Sequence, residues 1–175
     1  MLWGKGMVRR GIFVGRFQPF HMGHLLVIKY ILKEVDELVI VIGSAQYSHT
    51  IDNPFTTGER LTMIHNALQE AKIPIERCWI VPIRDVHVHM LWVAEIVGYT
   101  PSFDVVYANE PLTRRLFSEA RFRVKSIPYQ KRDIYSATET RGRMLTNKDW
   151  ETLVPKSVAT FIKENDGGQR LRDVT

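Results

Sequence analysis

The run Leu38-Val39-Ile40-Val41-Ile42 is the sequence feature that most restricts the fold of this chain. A strand that is apolar at every position is covered on both of its faces, as in parallel sheets enclosed by two layers of helices. Gly43 and Ser44 follow the run and mark its end. The rest of the chain is therefore expected to supply further strands and the helices that cover them.

Short apolar runs that predict strands alternate along the chain with segments of helical periodicity. The predicted strands comprise residues 11–14, 38–42, 79–81, 105–107 and 124–127. The predicted helices comprise residues 25–35, 56–71, 91–97, 111–120, 136–145 and 155–163. This alternation predicts an α/β fold, namely a Rossmann-like doubly wound parallel sheet of about five strands with helices on both faces. Ligands of such sheets bind beside the carboxyl ends of the strands.

Length and cysteine content narrow the class of protein further. We expect one domain over residues 1–175, with residues 1–9 as an N-terminal extension and residues 166–175 as a loose polar tail. The single cysteine, Cys78, excludes an internal disulfide framework and a cysteine zinc cluster, and it favours a cytoplasmic location. No apolar stretch reaches the length of a membrane helix, so no membrane partner is expected.

The charge of the chain favours an anionic partner, whether nucleic acid, acidic lipid or a small phosphate. The net charge is +5, from 24 Lys and Arg residues against 19 Asp and Glu residues. The basic residues are scattered rather than striped, and the sequence has no helix-turn-helix, zinc-finger or RNA-recognition signature. A non-enzymatic nucleic-acid-binding module therefore remains only as a remote alternative, and the motifs have to identify the partner.

The densest group of chemically useful residues follows the first predicted strand, in Gly15-Arg16-Phe17-Gln18-Pro19-Phe20-His21-Met22-Gly23-His24. His21 and His24 are three residues apart and share one face if the segment is helical. Gly23 lies between them without a side chain, so an anion can approach the backbone of a helix N-terminus. Two imidazoles and the Arg16 guanidinium add directed donors. A structural histidine pair and an incomplete metal site are the alternatives.

This string resembles the signature of the nucleotidyltransferase α/β-phosphodiesterase superfamily, whose core is His-x-Gly-His. In its longer form it is similar to nicotinamide-nucleotide adenylyltransferases, the archaeal type in particular. The string Ser136-Ala137-Thr138-Glu139-Thr140-Arg141 resembles the second motif of that family, Ile-Ser-x-Thr-x-x-Arg, with Tyr135 in place of the isoleucine. The resemblance extends from Arg10 to about Val158.

The resemblance implies that the chain makes NAD and pyrophosphate from ATP and nicotinamide mononucleotide (NMN), by direct in-line attack without a covalent intermediate. It implies Mg²⁺ carried by ATP, and no metal held by side chains. The implied catalytic residues are His21, His24, Arg16 and Arg141. The implied ATP contacts comprise these four together with Gly15, Phe17, Gly23, Ser136 and Thr138.

Two further candidate ATP contacts rest on their positions in the chain. Asn109 follows the fourth predicted strand, and a simple helix entry is the alternative interpretation. Arg132 precedes the second motif, and a solvated surface charge is the alternative there. Asp52 lies in the loop before residue 56, where an acidic side chain argues against a direct phosphate contact.

The candidate NMN contacts follow the second and third predicted strands. Ser44 and Gln46 leave the second strand, and Asp85 and His89 are expected to orient the carboxamide or the ribose. Trp92, near a predicted helix start, is expected to stack on the pyridinium ring, because aromatic faces attract cations. Ordinary core packing is the alternative for this tryptophan.

The alternatives within the enzyme class are other His-x-Gly-His nucleotidyltransferases, whose acceptors include phosphopantetheine, flavin mononucleotide (FMN) and glycerol phosphate. Nicotinic acid mononucleotide is a further candidate acceptor, since it differs from NMN only in a carboxylate. The resemblance to archaeal relatives also implies a homo-oligomer, of which a hexamer is one form.

Overall fold

The computed structural model describes residues 8–86, 88–128 and 134–175, and its centre is a five-stranded sheet. The strands are β1 (Arg10–Gly15), β2 (Glu37–Ile42), β3 (Cys78–Pro82), β4 (Val105–Tyr107) and β5 (Arg123–Lys125). They lie in the order β3-β2-β1-β4-β5, and every neighbouring pair is parallel. The predicted α/β fold with a parallel sheet is confirmed.

Helices cover both faces of this sheet. They are α1 (Met22–Ile31), α2 (Thr57–Glu70), α3 (His89–Tyr99), α4 (Pro111–Glu119), α5 (Ala137–Leu145), α6 (Lys156–Glu164) and α7 (Gly167–Asp173). Short 3₁₀ helices occupy Ile75–Arg77 and Glu151–Leu153. Within the three described ranges, none of these helices has the length and apolar character of a membrane span.

Alternate residues of the central strands enter two separate hydrophobic cores. Phe13 and Ile40 pack into the larger core, with residues of α1, α2, α5, α6 and α7. Ile12 and Val39 point to the opposite face and pack into the smaller core, with residues of α3 and α4. Residues 38–42 of β2 are fully buried between the two cores. Their continuous apolar run thus has the structural cause that the sequence predicts.

The two predicted helix caps differ in detail. Thr56 accepts from the Glu59 backbone N–H, and the Glu59 carboxylate accepts from the Thr56 N–H at 2.8 Å, so this capping box is complete. Ser136 also accepts from the Glu139 N–H at 3.1 Å. The Glu139 carboxylate instead accepts from Arg143, one helical turn further on. The second cap is therefore one-sided.

The prediction of a loose tail over residues 166–175 is wrong, because residues 167–173 form α7. Leu171 is fully buried in the larger core. Arg170 donates to both carboxylate oxygens of Glu59, at 2.6 Å and 2.7 Å. One apolar anchor and one long-range ion pair hold a helix that its own polar sequence does not indicate.

Candidate active site

The histidine pair forms a reciprocal cap at the start of α1. His21 is the N-cap residue, and its Nδ1 accepts the His24 backbone N–H at 3.3 Å. The Nδ1 of His24 accepts the His21 backbone N–H at 3.2 Å. The two rings stack with centroids 3.5 Å apart. Because each Nδ1 acts as an acceptor, each neutral ring carries its hydrogen on Nε2, where it can be donated to a ligand.

Burial keeps both imidazoles uncharged at neutral pH. It lowers the pKa of His21 to about 3. Burial, followed by the neighbouring His21 ring, lowers the pKa of His24 well below its usual value. Phenylalanine rings surround His24, with the Phe17 centroid at 4.6 Å and the Phe20 centroid at 5.4 Å. The pair therefore presents neutral N–H donors rather than cations.

The lowered pKa of His21 predicts a loss of stability in acid. Between its ordinary pKa of 6.5 and about 3, the unfolded chain binds more protons than the folded one, so stability is complete above pH 6.5 and falls on acidification. Asparagine preserves an N-cap acceptor without titrating. Between pH 7 and pH 5, the free energy of unfolding is therefore expected to fall by about 2 kcal/mol less in His21→Asn than in wild type. Urea denaturation at the two pH values measures this, and equal losses would contradict the assignment.

The segments that carry the two motifs meet in space. Arg141, which is 6% exposed, donates through Nη1 to the carbonyl oxygen of Gln18 at 2.9 Å. Its Nη2 donates to the Asp52 carboxylate at 3.1 Å. A Cβ atom added at Gly23 would lie 3.0 Å from the Tyr135 carbonyl oxygen, so a side chain there would push the segment before α5 away from α1 by a few tenths of an ångström.

A cleft of about 320 Å³ lies between these motifs and the end of β4. Five of the predicted ATP contacts line it, namely His21, Gly23, His24, Asn109 and Ser136. The Asn109 side-chain amide donates to the Ile127 carbonyl oxygen at 2.7 Å and accepts the Ile127 N–H at 2.9 Å. This side chain therefore also fixes one wall of the cleft.

The remaining predicted ATP residues differ in what they expose. The Phe17 ring is 1% exposed and packs against the His24 ring. Only the backbone of Phe17 is therefore available to contact a nucleotide. Gly15 leaves room for that ring, which a Cβ atom would approach at 2.9 Å. Arg16 and Thr138 are exposed. Arg132 lies outside the described residues.

The candidate NMN residues fall into two groups. Ser44 donates to the Asp85 carboxylate through its backbone N–H at 3.1 Å and its hydroxyl at 2.7 Å. Gln46 accepts the Asp85 backbone N–H at 3.0 Å. These three residues form one network at the ends of β2 and β3. In the described part of the chain, no hydrogen bond joins His89 or Trp92 to it.

The other two candidate NMN residues, His89 and Trp92, lie on α3. His89 is exposed at the first position of the helix. The Trp92 ring is half-buried and packs edge-on against Phe117, with centroids 5.8 Å apart. The alternative of core packing thus describes Trp92 in this structure, because α3 turns that ring toward α4.

Arg60, which the sequence analysis misses, holds the loops that carry candidate site residues. Its guanidinium is fully buried and donates to the carbonyl oxygens of Arg16 and Gly43, each at 2.9 Å. The pKa of Arg60 is lowered to about 10, mainly by burial. The Asp85 carboxylate opposes this shift, and the positive charge of Arg16 adds to it. A signal was present in the sequence, since Arg60 lies four residues before Ile64 on the apolar face of a helix.

Acidic and imidazole side chains do not converge into a metal site in the described ranges. No group of three or more His, Cys, Asp or Glu residues lies close enough there to hold an ion. A divalent ion bound mainly by nucleotide phosphates requires no such group, because Mg²⁺ retains water ligands and takes phosphate oxygens.

Comparison with known proteins identifies the family of the chain. Residues 12–143 match the family model described as cytidylyltransferase-like. A nicotinamide-nucleotide adenylyltransferase of Archaeoglobus fulgidus is 50% identical, over 95% of this chain and 97% of the relative. The enzyme of that name from Methanosarcina mazei is 52% identical, over 95% of this chain and 94% of the relative.

A solved structure shares the fold and covers nearly the whole chain. It is a bifunctional NMN adenylyltransferase/ADP ribose pyrophosphatase of Francisella tularensis, complexed with AMP and a manganese ion. Its TM-score is 0.77 and its identity 27%, over 95% of this chain. This chain spans about half of that bifunctional protein, 52% of its length. The resemblance found in the motifs is thus confirmed: the chain belongs to the nicotinamide-nucleotide adenylyltransferases, within the cytidylyltransferase-like family.

Proposed function

We propose that the chain transfers the adenylyl group of ATP to nicotinamide mononucleotide and releases NAD and pyrophosphate. The observation that carries this proposal is the pair of neutral imidazoles at the start of α1, facing the start of α5 across one cleft. An oxygen of the mononucleotide phosphate bonds to the α-phosphorus of ATP. The bond from that phosphorus to the β-phosphate oxygen breaks, and its electron pair leaves with pyrophosphate.

The acceptor phosphate is already anionic at neutral pH, so the reaction requires neither a general base nor a protein nucleophile. The chain contributes positioning and stabilisation of the charge that spreads over the phosphates. The Nε2–H groups of His21 and His24 donate to phosphate oxygens, with His24 nearest the reacting α/β region. The free N–H groups at the start of α1 add to this anion site.

The second motif holds the triphosphate from the opposite wall of the cleft. Ser136 uses one lone pair for the Glu139 N–H and retains its O–H for a phosphate oxygen. Thr138 supplies a second hydroxyl on the first turn of α5. Arg141 and Arg16 neutralise the triphosphate and the leaving pyrophosphate, since the guanidinium fork suits phosphate oxygens. The assignments of Gly15, Phe17, Gly23, Asn109 and Arg132 to ATP belong to the same proposal.

The acceptor half of the proposed site lies at the ends of β2 and β3. Gln46 and Asp85 line a hollow of about 550 Å³ there. Ser44 is bonded to Asp85 and holds its carboxylate in place. His89 and Trp92 complete the proposed set, and for Trp92 this requires that the exposed part of its half-buried ring contacts the nicotinamide.

The wider setting of the reaction is also a proposal. Mg²⁺ enters with ATP, held by phosphate oxygens and water rather than by side chains, and when bound it neutralises phosphate charge. The manganese ion in the complex of the Francisella tularensis protein supports a divalent cation in this role. We further propose one domain over residues 1–175 and a cytoplasmic homo-oligomer without nucleic-acid or membrane partners.

The decisive experiment offers purified protein ATP, Mg²⁺ and one acceptor at a time. The acceptors are nicotinamide mononucleotide, nicotinic acid mononucleotide, phosphopantetheine, FMN and glycerol phosphate. Chromatography of the products is expected to show NAD and pyrophosphate with the first acceptor. Product formation only with phosphopantetheine, FMN or glycerol phosphate would overturn the choice of substrate, and an absence of product with every acceptor would overturn the proposed activity.

A further inference from the structure

Arg60 is a fully buried arginine whose guanidinium bonds backbone oxygens rather than a carboxylate. Nη1 donates to the carbonyl oxygens of Arg16 and Gly43, and Nη2 donates to the carbonyl oxygen of Ser44 at 3.1 Å. Its other bonds join Nη2 to the Thr57 hydroxyl at 3.0 Å and Nε to the Thr56 carbonyl oxygen at 3.4 Å. In the described ranges, no salt bridge includes Arg60.

Three of these four carbonyl oxygens come from the two loops that carry the two proposed substrates, and the fourth belongs to Thr56, the N-cap of α2. Arg16 belongs to the loop after β1, which leads to the histidine pair and to Gln18, the anchor of Arg141. Gly43 and Ser44 belong to the loop after β2, where Ser44 holds Asp85 in the acceptor half. One planar guanidinium therefore joins the triphosphate side of the site to the acceptor side.

The backbone at Ser44 shows why that contact matters. Ser44 has a φ of 51°, in the left-handed region that non-glycine residues adopt rarely and at some energetic cost. Its N–H and hydroxyl bond Asp85, and its carbonyl oxygen bonds Arg60. The strained turn is thus held from both sides, and removing Arg60 leaves only the Tyr47 N–H, at 3.1 Å, on the Ser44 carbonyl oxygen.

The chemistry of arginine fits this task better than that of lysine or an apolar residue. A buried charge is costly unless its donors are satisfied, and a planar fork can satisfy several carbonyl oxygens at fixed angles. An apolar side chain of similar volume would fill the space without fixing either loop. A lysine would keep the charge but would not span the oxygens of both loops.

We infer that Arg60 is a positioning residue, which sets the distance between the α-phosphorus of ATP and the attacking phosphate oxygen without touching either substrate. This inference rests on the proposed function. In-line attack requires the reacting atoms at about 3–3.5 Å, and a misplacement of about 1 Å lowers the rate by about 10²-fold. Loss of Arg60 is therefore expected to lower kcat, with KM for each substrate changed much less.

Arg77 supplies a matched control within the same chain. It also donates to three backbone carbonyl oxygens, those of Leu32, Val35 and Asp36, at 2.7–2.8 Å. Those contacts lie before β2 and β3, at the end of the parallel sheet opposite the site. Arg77→Met thus removes the same type of interaction without touching the substrate loops.

The test compares Arg60→Met and Arg60→Lys with Arg77→Met in steady-state kinetics, urea denaturation and amide hydrogen exchange. We expect kcat to fall by about 10²-fold in Arg60→Met and to remain near wild type in Arg77→Met, although both lose stability. Guanidinium ion added to Arg60→Ala is expected to restore part of kcat. Exchange at residues 43–46 is expected to rise in Arg60→Met alone.

Several outcomes would overturn the inference. They are an unchanged kcat in Arg60→Met, a loss confined to one KM, or an equal loss of kcat in Arg77→Met. If Arg60→Met does not fold, Arg60→Lys decides, because it keeps the charge but not the fork, and a wild-type kcat there would also overturn the inference. Hydrogen exchange at residues 43–46 requires no substrate. Failure of wild type to form NAD would therefore refute the proposed function, and unchanged exchange in the Arg60 variants would refute the positioning role.

Discussion

His24→Ala is expected to lower kcat by about 10²–10³-fold, the loss typical of removing one directed donor from a site where charge accumulates. The Nδ1 of His24 is occupied by the His21 backbone N–H, so its Nε2–H is the group left for a phosphate oxygen. Steady-state kinetics with saturating ATP and nicotinamide mononucleotide measure this loss. The missing capping bond lowers the free energy of unfolding by about 1 kcal/mol, which urea denaturation measures.

His24→Asn separates the two roles of this side chain. The asparagine oxygen can accept the His21 N–H and so preserve the cap, but asparagine has no donor at the position of Nε2. We expect this variant to be as stable as wild type and to have a kcat as low as that of His24→Ala. A near-normal kcat in His24→Asn would remove the catalytic assignment.

Arg141→Ala is expected to lower kcat/KM by about 30-fold to about 5 × 10³-fold, since truncating a buried charged donor costs about 2–5 kcal/mol. The guanidinium is fixed through Nη1 on the Gln18 carbonyl oxygen, and its Nη2 bonds an exposed carboxylate, that of Asp52. We expect the triphosphate to replace that carboxylate on Nη2. Arg141→Lys keeps the charge without the fork and is expected to recover only part of the loss.

Asp52→Asn is the control for this prediction. It removes the carboxylate that bonds Arg141 and leaves the arginine itself unchanged. If the pair only holds the loop in place, this variant should lose as much kcat/KM as Arg141→Ala. We expect it instead to retain kcat/KM, with a KM for ATP no higher than that of wild type, because a competing anion has been removed.

Periodicity and local capping rules predicted most of the architecture. A run such as residues 38–42 is apolar for one physical reason, burial on both faces, so its position in the middle of the sheet follows directly. The helix α7, by contrast, could not be predicted from the pattern of residues 166–175. Leu171 is one apolar residue among polar neighbours, and the partner of Arg170 is Glu59, 111 positions away in the chain.

The residue types at the site could be predicted better than their geometry. The spacing of His21 and His24 predicted a shared helical face, but His21 lies outside the helix as its cap. Histidine is not among the residues favoured at that position, so the reciprocal cap could not be read from the pattern. Trp92 was ambiguous for another reason, since its ring suits both a pyridinium ion and the core. The position of Arg60 on the apolar face of α2 indicated burial, but its partners are backbone oxygens of two loops, and no side-chain pattern identifies those.

The strand order β3-β2-β1-β4-β5 places the two halves of the proposed site side by side along one edge of the sheet. In the proposed reaction, the segments after β1 and β4 bind the nucleotide, and those after β2 and β3 bind the acceptor. A laboratory evolution campaign aimed at new acceptors can thus randomise the exposed positions 46 and 89, while Ser44 and Asp85 are kept because their hydrogen bonds hold the left-handed turn after β2. The residues proposed to bind ATP would remain unchanged, provided that every library keeps Arg60, which bonds the loops after β1 and β2.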